Sequence, residues 1–210
     1  MGVMVKNISR EEMSERFKHL QAVISGERFL SKQGLGNEIP FFICPFNPKE
    51  AAAMDRTRQG LIKRLGSRGV EVLDINLYDL SIELLKDREI WEQILAMEET
   101  VPKEQLKELL QGVLDSEAHV VPAIAQKIAD KEADTGFDVL FVSGIGEVFP
   151  YIRSHNVLNN LQSTAKDQPT VLFFPGEYTQ SLESGASLDL FGKLQDDKYY
   201  RAFNIYDYEV

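Results

Sequence analysis

The sequence predicts an α/β fold: a three-layer sandwich around a mostly parallel sheet of about five strands, Rossmann-like or resembling a degenerate NTPase. Three observations predict it. Short, nearly continuous apolar runs recur at residues 39–46 (IPFFICPF), 137–143 (FDVLFVS) and 170–174 (TVLFF). Runs of this kind suit strands covered on both faces. Segments with helical periodicity separate them, and that alternation is the pattern of helices packed on a parallel sheet. Finally, a chain of 210 residues with 43% hydrophobic and 27% charged residues has the composition of a globular protein and the length for a sizeable core.

Each element has a local reason. Ser9 and Glu12 have capping-box spacing, and Met13, Phe17, Leu20 and Ile24 form one apolar face, so a helix is expected over about 9–25 with Gly26 as its stop. Residues 31–37 read as a loop. The run at 39–46 is the first strand. Asn47, Pro48 and Glu50 then begin a helix with a capping residue, a first-turn proline and a carboxylate near the positive end. Met54, Leu61, Ile62 and Leu65 are its buried stripe, and Gly66 and Gly69 close it. A second strand is expected over 70–78.

A helical insert follows, from about 81 to 134. Leu84, Trp91 and Leu95 mark one helix. Leu106, Leu109, Leu110, Val113 and Leu114 mark a second, and Val121, Ile124, Ala125 and Ile128 a third. Each stripe must pack against something. Beyond the buried strand at 137–143, a helix is expected over 152–166, then the strand at 170–174. The segment 179–187 reads as an exposed loop. Residues 201–208 alternate and read as an edge strand. The whole chain, 1–210, is read as one domain.

Bulk properties bound the function. No run reaches the roughly 18–20 apolar residues of a membrane span. The N-terminal segment has no apolar core of a signal peptide. The single cysteine, Cys44, precludes an internal disulfide and fits a reducing compartment, so a cytoplasmic location is expected. A net charge of −10 makes tight, direct nucleic-acid binding unexpected, because such binding rests on Lys and Arg neutralising phosphates. Arg56, Arg58, Lys63, Arg64 and Arg68 cluster on one helix, and the favoured reading is a solvated face.

The chemical motifs are sparse. A phosphate loop after the first strand would need glycines and a Lys-Ser/Thr pair. Cys44, Pro45, Phe46, Asn47, Pro48 and Lys49 stand there instead, and two prolines remove two backbone donors. Ser143, Gly144, Ile145, Gly146 and Glu147 end a buried strand, where open α/β sheets bind ligands. Glu147 could serve as a base, but a tight turn that needs glycine is the favoured reading. Ser154 and His155 are helix neighbours pointing about 100° apart, which is no relay. His19, His119 and His155 share no metal spacing, Asp138 lies too early in its strand for a metal role, and Cys44 reads as a structural thiol. No cofactor or metal is expected. The C-terminal third is rich in aromatics, including Phe173, Phe174, Tyr178, Phe191, Tyr199, Tyr200, Phe203, Tyr206 and Tyr208, which suit either a core or an interface.

Three blocks carry more information: residues 149–161 (FPYIRSHNVLNNL), 169–178 (PTVLFFPGEY) and 190–203 (LFGKLQDDKYYRAF). With the strand and turn at 39–48, they resemble the BrxB family, a component of bacterial BREX anti-phage defence. The resemblance runs from about Pro40 to Ile205, and the segment between Tyr178 and Leu190 is a few residues longer than the family pattern. It implies a small non-catalytic adaptor that binds the phosphatase-like PglZ subunit, with other BREX subunits as further candidate partners, supporting host DNA methylation and phage exclusion. The family supplies no catalytic residues to carry over. Tyr151, Arg153, Tyr199, Tyr200 and Arg201 are the expected contact residues. The alternative reading is a degenerate nucleotide-binding regulatory domain, motivated by the element order and the Gly144/Gly146 turn.

Overall fold

The computed structural model describes residues 10–33, 40–161, 164–181, 185–195 and 202–209. Its centre is a parallel sheet. The apolar runs give β1 (Phe41–Phe46), β3 (Val139–Ser143) and the first half of β4 (Thr170–Ser181), with β2 (Val72–Asn76) and the short β7 (Phe203–Asn204) at the edges. The order is β2-β3-β4-β1-β7, all parallel, with Phe41 opposite Thr170 and Phe46 opposite Pro175. These are the expected five strands.

Two more strands were not anticipated. β4 runs past Pro175 and pairs antiparallel with β5 (Gly185–Leu190), which pairs with β6 (Leu194–Gln195). The segment read as a loop over 179–187 is therefore largely ribbon: Thr179 opposes Ser187 and Ser181 opposes Gly185. Alternating residues Ala186, Leu188 and Leu190 are buried, and this fixes the register. Tyr178 is buried too, and its hydroxyl donates to the Ala202 carbonyl at 2.6 Å.

Period-two alternation sorts the strands onto two cores. Phe42, Cys44, Val139, Phe141, Val171 and Phe173 face one side; Phe41, Ile43, Leu140, Val142, Leu172 and Phe174 face the other. The first side is covered by α1 (Arg10–Ile24) and α3 (Ala51–Gly66), together with Phe29 of the short α2 (Glu27–Leu30). Phe42 is fully buried there, with ring centroids of Phe29, Tyr208 and Phe203 at 4.6, 5.3 and 5.7 Å.

The second side is covered by helices between β2 and β4. These are α4 (Leu77–Asp87), α5 (Trp91–Glu98), α6 (Lys103–Val113), a π-turn at Ser116–Val120, and α7 (Val121–Asp134). Two short helices follow β3: α8 (Ile145–Val148) and α9 (Ser154–Leu161). The arrangement is an α/β/α sandwich.

Several boundaries differ from the sequence reading for local reasons. The second strand stops at Asn76, not at 78, because the Asn76 side chain accepts from the Tyr78 and Asp79 backbone amides and starts α4 there. The insert therefore begins at Leu77 and holds four helices. The expected helix over 152–166 is shorter, because β3 turns at once into α8 and the chain reaches α9 only at Ser154. The final segment is an edge strand for only Phe203–Asn204. Asn204 then caps a 3₁₀ turn, Ile205–Asp207, by accepting from the Tyr206 amide.

Candidate functional site

The site is a cleft of ≈ 250 Å³ at the carboxyl ends of β1, β2, β3 and β4, roofed by α3. The chain leaving β1 crosses the α1/α3 face, while the chains leaving β2 and β3 cross the other. An opening at such a reversal is where parallel sheets hold ligands. Its walls are mainly apolar, with Phe46, Met54, Phe173 and Phe191 among them.

One wall holds a buried cation. Arg58 lies on the buried stripe of α3, four residues after Met54, and is only 6% exposed. Its guanidinium donates to Asp74 of β2 and, at 2.7 Å, to Asp55 one helical turn back. Burial alone would lower the Arg58 pKa; hydrogen bonds and charge from Asp74 and Asp55 outweigh it, so the pKa is raised. The Arg58 charge is thus balanced by two acids rather than offered to a ligand. Asp55 and Glu147 line the cleft beside it, so the lining carries one net negative charge and Asp74 behind it makes two. A phosphate would enter against that field.

The floor breaks the apolar pattern of β3. Ser143 follows Phe141 by two positions and so points to the same side as Phe173. It is 6% exposed, and among the described residues its Oγ has no hydrogen-bond partner. Buried hydroxyls are nearly always bonded, so an orphan needs a reason. Next to it, Gly144 adopts φ +81°, and a side chain there would meet Asn76 Oδ1 at 2.5 Å. Gly146 lets Pro175 and Phe191 approach, at 2.9 and 3.0 Å from where a Cβ would sit. Phe191, at the β5–β6 turn, itself has φ 57° and is 36% exposed. Left-handed backbone at a bulky residue costs on the order of 1–3 kcal/mol and concentrates at working sites.

Comparisons with known proteins bear on this geometry. The pattern that defines the family described as "BREX protein BrxB" matches residues 73–205, well over half the chain. The chain belongs to the BrxB family. A protein of Bacillus cereus (strain H3081.97), named BREX protein BrxB, is 31% identical over 196 residues, covering 93% of this chain and 98% of that one. A protein of the same name from Escherichia coli O9:H4 (strain HS) is 29% identical over 190 residues, covering 90% of each. No solved structure matches. Membership in the BrxB family makes the chain a BREX subunit, and among the described residues no helix is long and apolar enough to cross a membrane.

For this BrxB-family chain, the sequence-named residues fall in different places. Tyr151 is half-buried against the second core and Arg153 is exposed, in the link just before α9. That link rests on α6, where the Gln111 side-chain amide donates to the Pro150 carbonyl at 3.0 Å. Tyr199, Tyr200 and Arg201 lie outside the described residues. Glu147 does reach the cleft, but Ser154 and His155 are not among its lining residues. Cys44 is fully buried on the α1/α3 side, its sulfur 3.4 Å from the Tyr206 hydroxyl. Burial pushes the thiol up to about 12, against the smaller opposing effects of Tyr206 and Arg16. No group of three His, Cys, Asp or Glu side chains among the described residues could hold a metal.

Sequence reasoning missed Asp55 and Asp74, read Ser143 only as part of a glycine turn, and left Phe191 among the aromatics suited to a core or an interface. It also placed Arg58 on a solvated face, and the structure corrects that. The signal was present: residues 54, 58, 61 and 65 share one helical stripe, so Arg58 stands where an apolar residue belongs. An acid inside β2 is the partner such a cation requires.

Proposed function

We propose that the chain is a non-catalytic adaptor of a BREX anti-phage defence system, acting in the cytoplasm by binding the phosphatase-like PglZ subunit and supporting host DNA methylation and phage exclusion. The observation that carries this reading is the likeness to BREX protein BrxB along nearly the whole length of both relatives. Two features of the chain support it. A net charge of −10 suits protein partners better than direct DNA contact. A tyrosine and an arginine, Tyr151 and Arg153, stand together before α9, and both residue types are favoured at interface centres. Tyr199, Tyr200 and Arg201 complete the proposed contact set.

The test is recovery of partners. Tagged protein, purified from its native host at low salt, should bring down PglZ and other BREX subunits, identified by mass spectrometry. Tyr151→Ala with Arg153→Ala should weaken that recovery about thirtyfold if the pair forms a hot spot of ~2 kcal/mol. Failure to recover PglZ from a host that expresses it, with both proteins folded, would refute the adaptor reading.

A further inference from the structure

We propose that the carboxyl-end cleft is a binding site for a small organic ammonium ion: a compact apolar body bearing a protonated amine. The proposal is independent of the adaptor reading, since it concerns a concave site and a free small molecule. Four observations converge on it.

The first is shape and place. The cleft holds ≈ 250 Å³, close to the small end of ligand pockets, and lies where parallel sheets bind ligands. The second is an unused polar atom. Ser143 Oγ is buried on the floor without a partner among the described residues, and an amine can satisfy it by donating to it. Leaving it empty costs free energy that a bound donor recovers.

The third is charge. Asp55 and Glu147 face the cleft, and Arg58 is already engaged by Asp55 and Asp74. The net negative charge attracts a cation and repels carboxylates and phosphates. The fourth is the aromatic wall. Phe46, Phe173 and Phe191 line the same cleft, and ring faces stabilise organic cations at close range. Phe191 is held there in a left-handed conformation, against Gly146. Such strain persists only where the surroundings impose it.

A matched series tests the idea with full-length protein: phenethylamine, phenylacetate and phenyl phosphate share a ring and differ in the head group. Each is titrated to about 10 mM, well above the millimolar constant expected for so small a ligand, while backbone amide shifts are followed by NMR. Phenethylamine should move the amides of Ser143 to Glu147 and of Asp55 and Arg58 in a saturable way. The two anions should leave them in place. Glu147→Gln, at an exposed position where folding is not at stake, should weaken phenethylamine about fivefold. Ser143→Ala should weaken it further. The proposal is overturned if the anions bind as well as the amine, if the amine moves only scattered amides on the acidic surface, or if nothing moves by the top of the titration.

Discussion

The interior of the sheet and its carboxyl edge lie a few residues apart and obey opposite rules. Inside, every residue of β3 is buried, apolar side chains alternate between two cores, and the chain does what its periodicity dictates. At the edge, a serine replaces the next apolar residue, an arginine sits on a buried stripe, and a phenylalanine adopts backbone angles that suit glycine. The interior is consistent across levels, from propensity to packing, with one exception, the buried Thr170 hydroxyl, which has no partner among the described residues. The edge departs from that consistency several times within one cleft. Departures of this kind mark where something other than stability shaped the chain, and the difference between the two regions can be tested.

The interior should be the less forgiving region. Phe42→Ala removes a ring that touches three others and leaves a cavity in the α1/α3 core. Denaturant melts should show a loss of about 3–5 kcal/mol. A loss below 1 kcal/mol would mean this core is loosely packed and the contrast is false.

Cys44 tests the same core through pH. Its native thiol is pushed up to about 12 from an ordinary 9.0, so above pH 9 the unfolded chain loses a proton that the native state keeps. The native state then binds more protons, and stability falls as pH rises. The contribution is fully present below pH 9 and lost between 9 and about 12, at roughly 1.4 kcal/mol per pH unit. Cys44→Ala lacks this term. The stability difference between wild type and variant should therefore narrow steadily across that window. A constant difference would show that the thiol is hydrated in the native state.

Arg58 probes the edge. Arg58→Ala strands Asp74 and Asp55, but their side chains are 30% and 48% exposed, so water relieves part of the penalty. The expected loss is about 2 kcal/mol, below the 3–5 of a fully buried pair. Arg58→Met, which keeps the stem packing, should lose less. Equal losses would assign the role of Arg58 to its ion pairs with Asp55 and Asp74 alone.

The same contrast explains what was legible in the sequence. Apolar runs such as FDVLFVS and helix signals such as Asn47-Pro48 are local, and they gave the layers, the five parallel strands and most helices. The β4–β5 ribbon was not legible, because its strands carry Gly, Ser and Thr, and its register depends on side chains meeting across the turn. The cleft was half legible. Gly144 and Glu147 stand in one motif and Asp55 and Arg58 on one helix turn, but Asp74 joins them only through the packing of α3 on β2. The single-residue exceptions, a charge on an apolar stripe and a serine ending an apolar strand, were the readable traces of that packing.

Ser143→Ala separates the two regions most sharply, though its effect is the smallest. In a core governed by satisfied bonding, removing a buried hydroxyl would break a hydrogen bond and cost about 1 kcal/mol. Ser143 Oγ has no partner among the described residues, so deleting it removes a desolvation penalty and leaves the strand packing almost unchanged. Stability should therefore rise, by about 1 kcal/mol, visible as a higher Tm. The same substitution should weaken phenethylamine binding. Gain of stability with loss of binding is the signature of a polar atom kept for a ligand. If Ser143→Ala instead lowers Tm, the hydroxyl is part of the fold, and the edge of the sheet follows the rules of its interior after all.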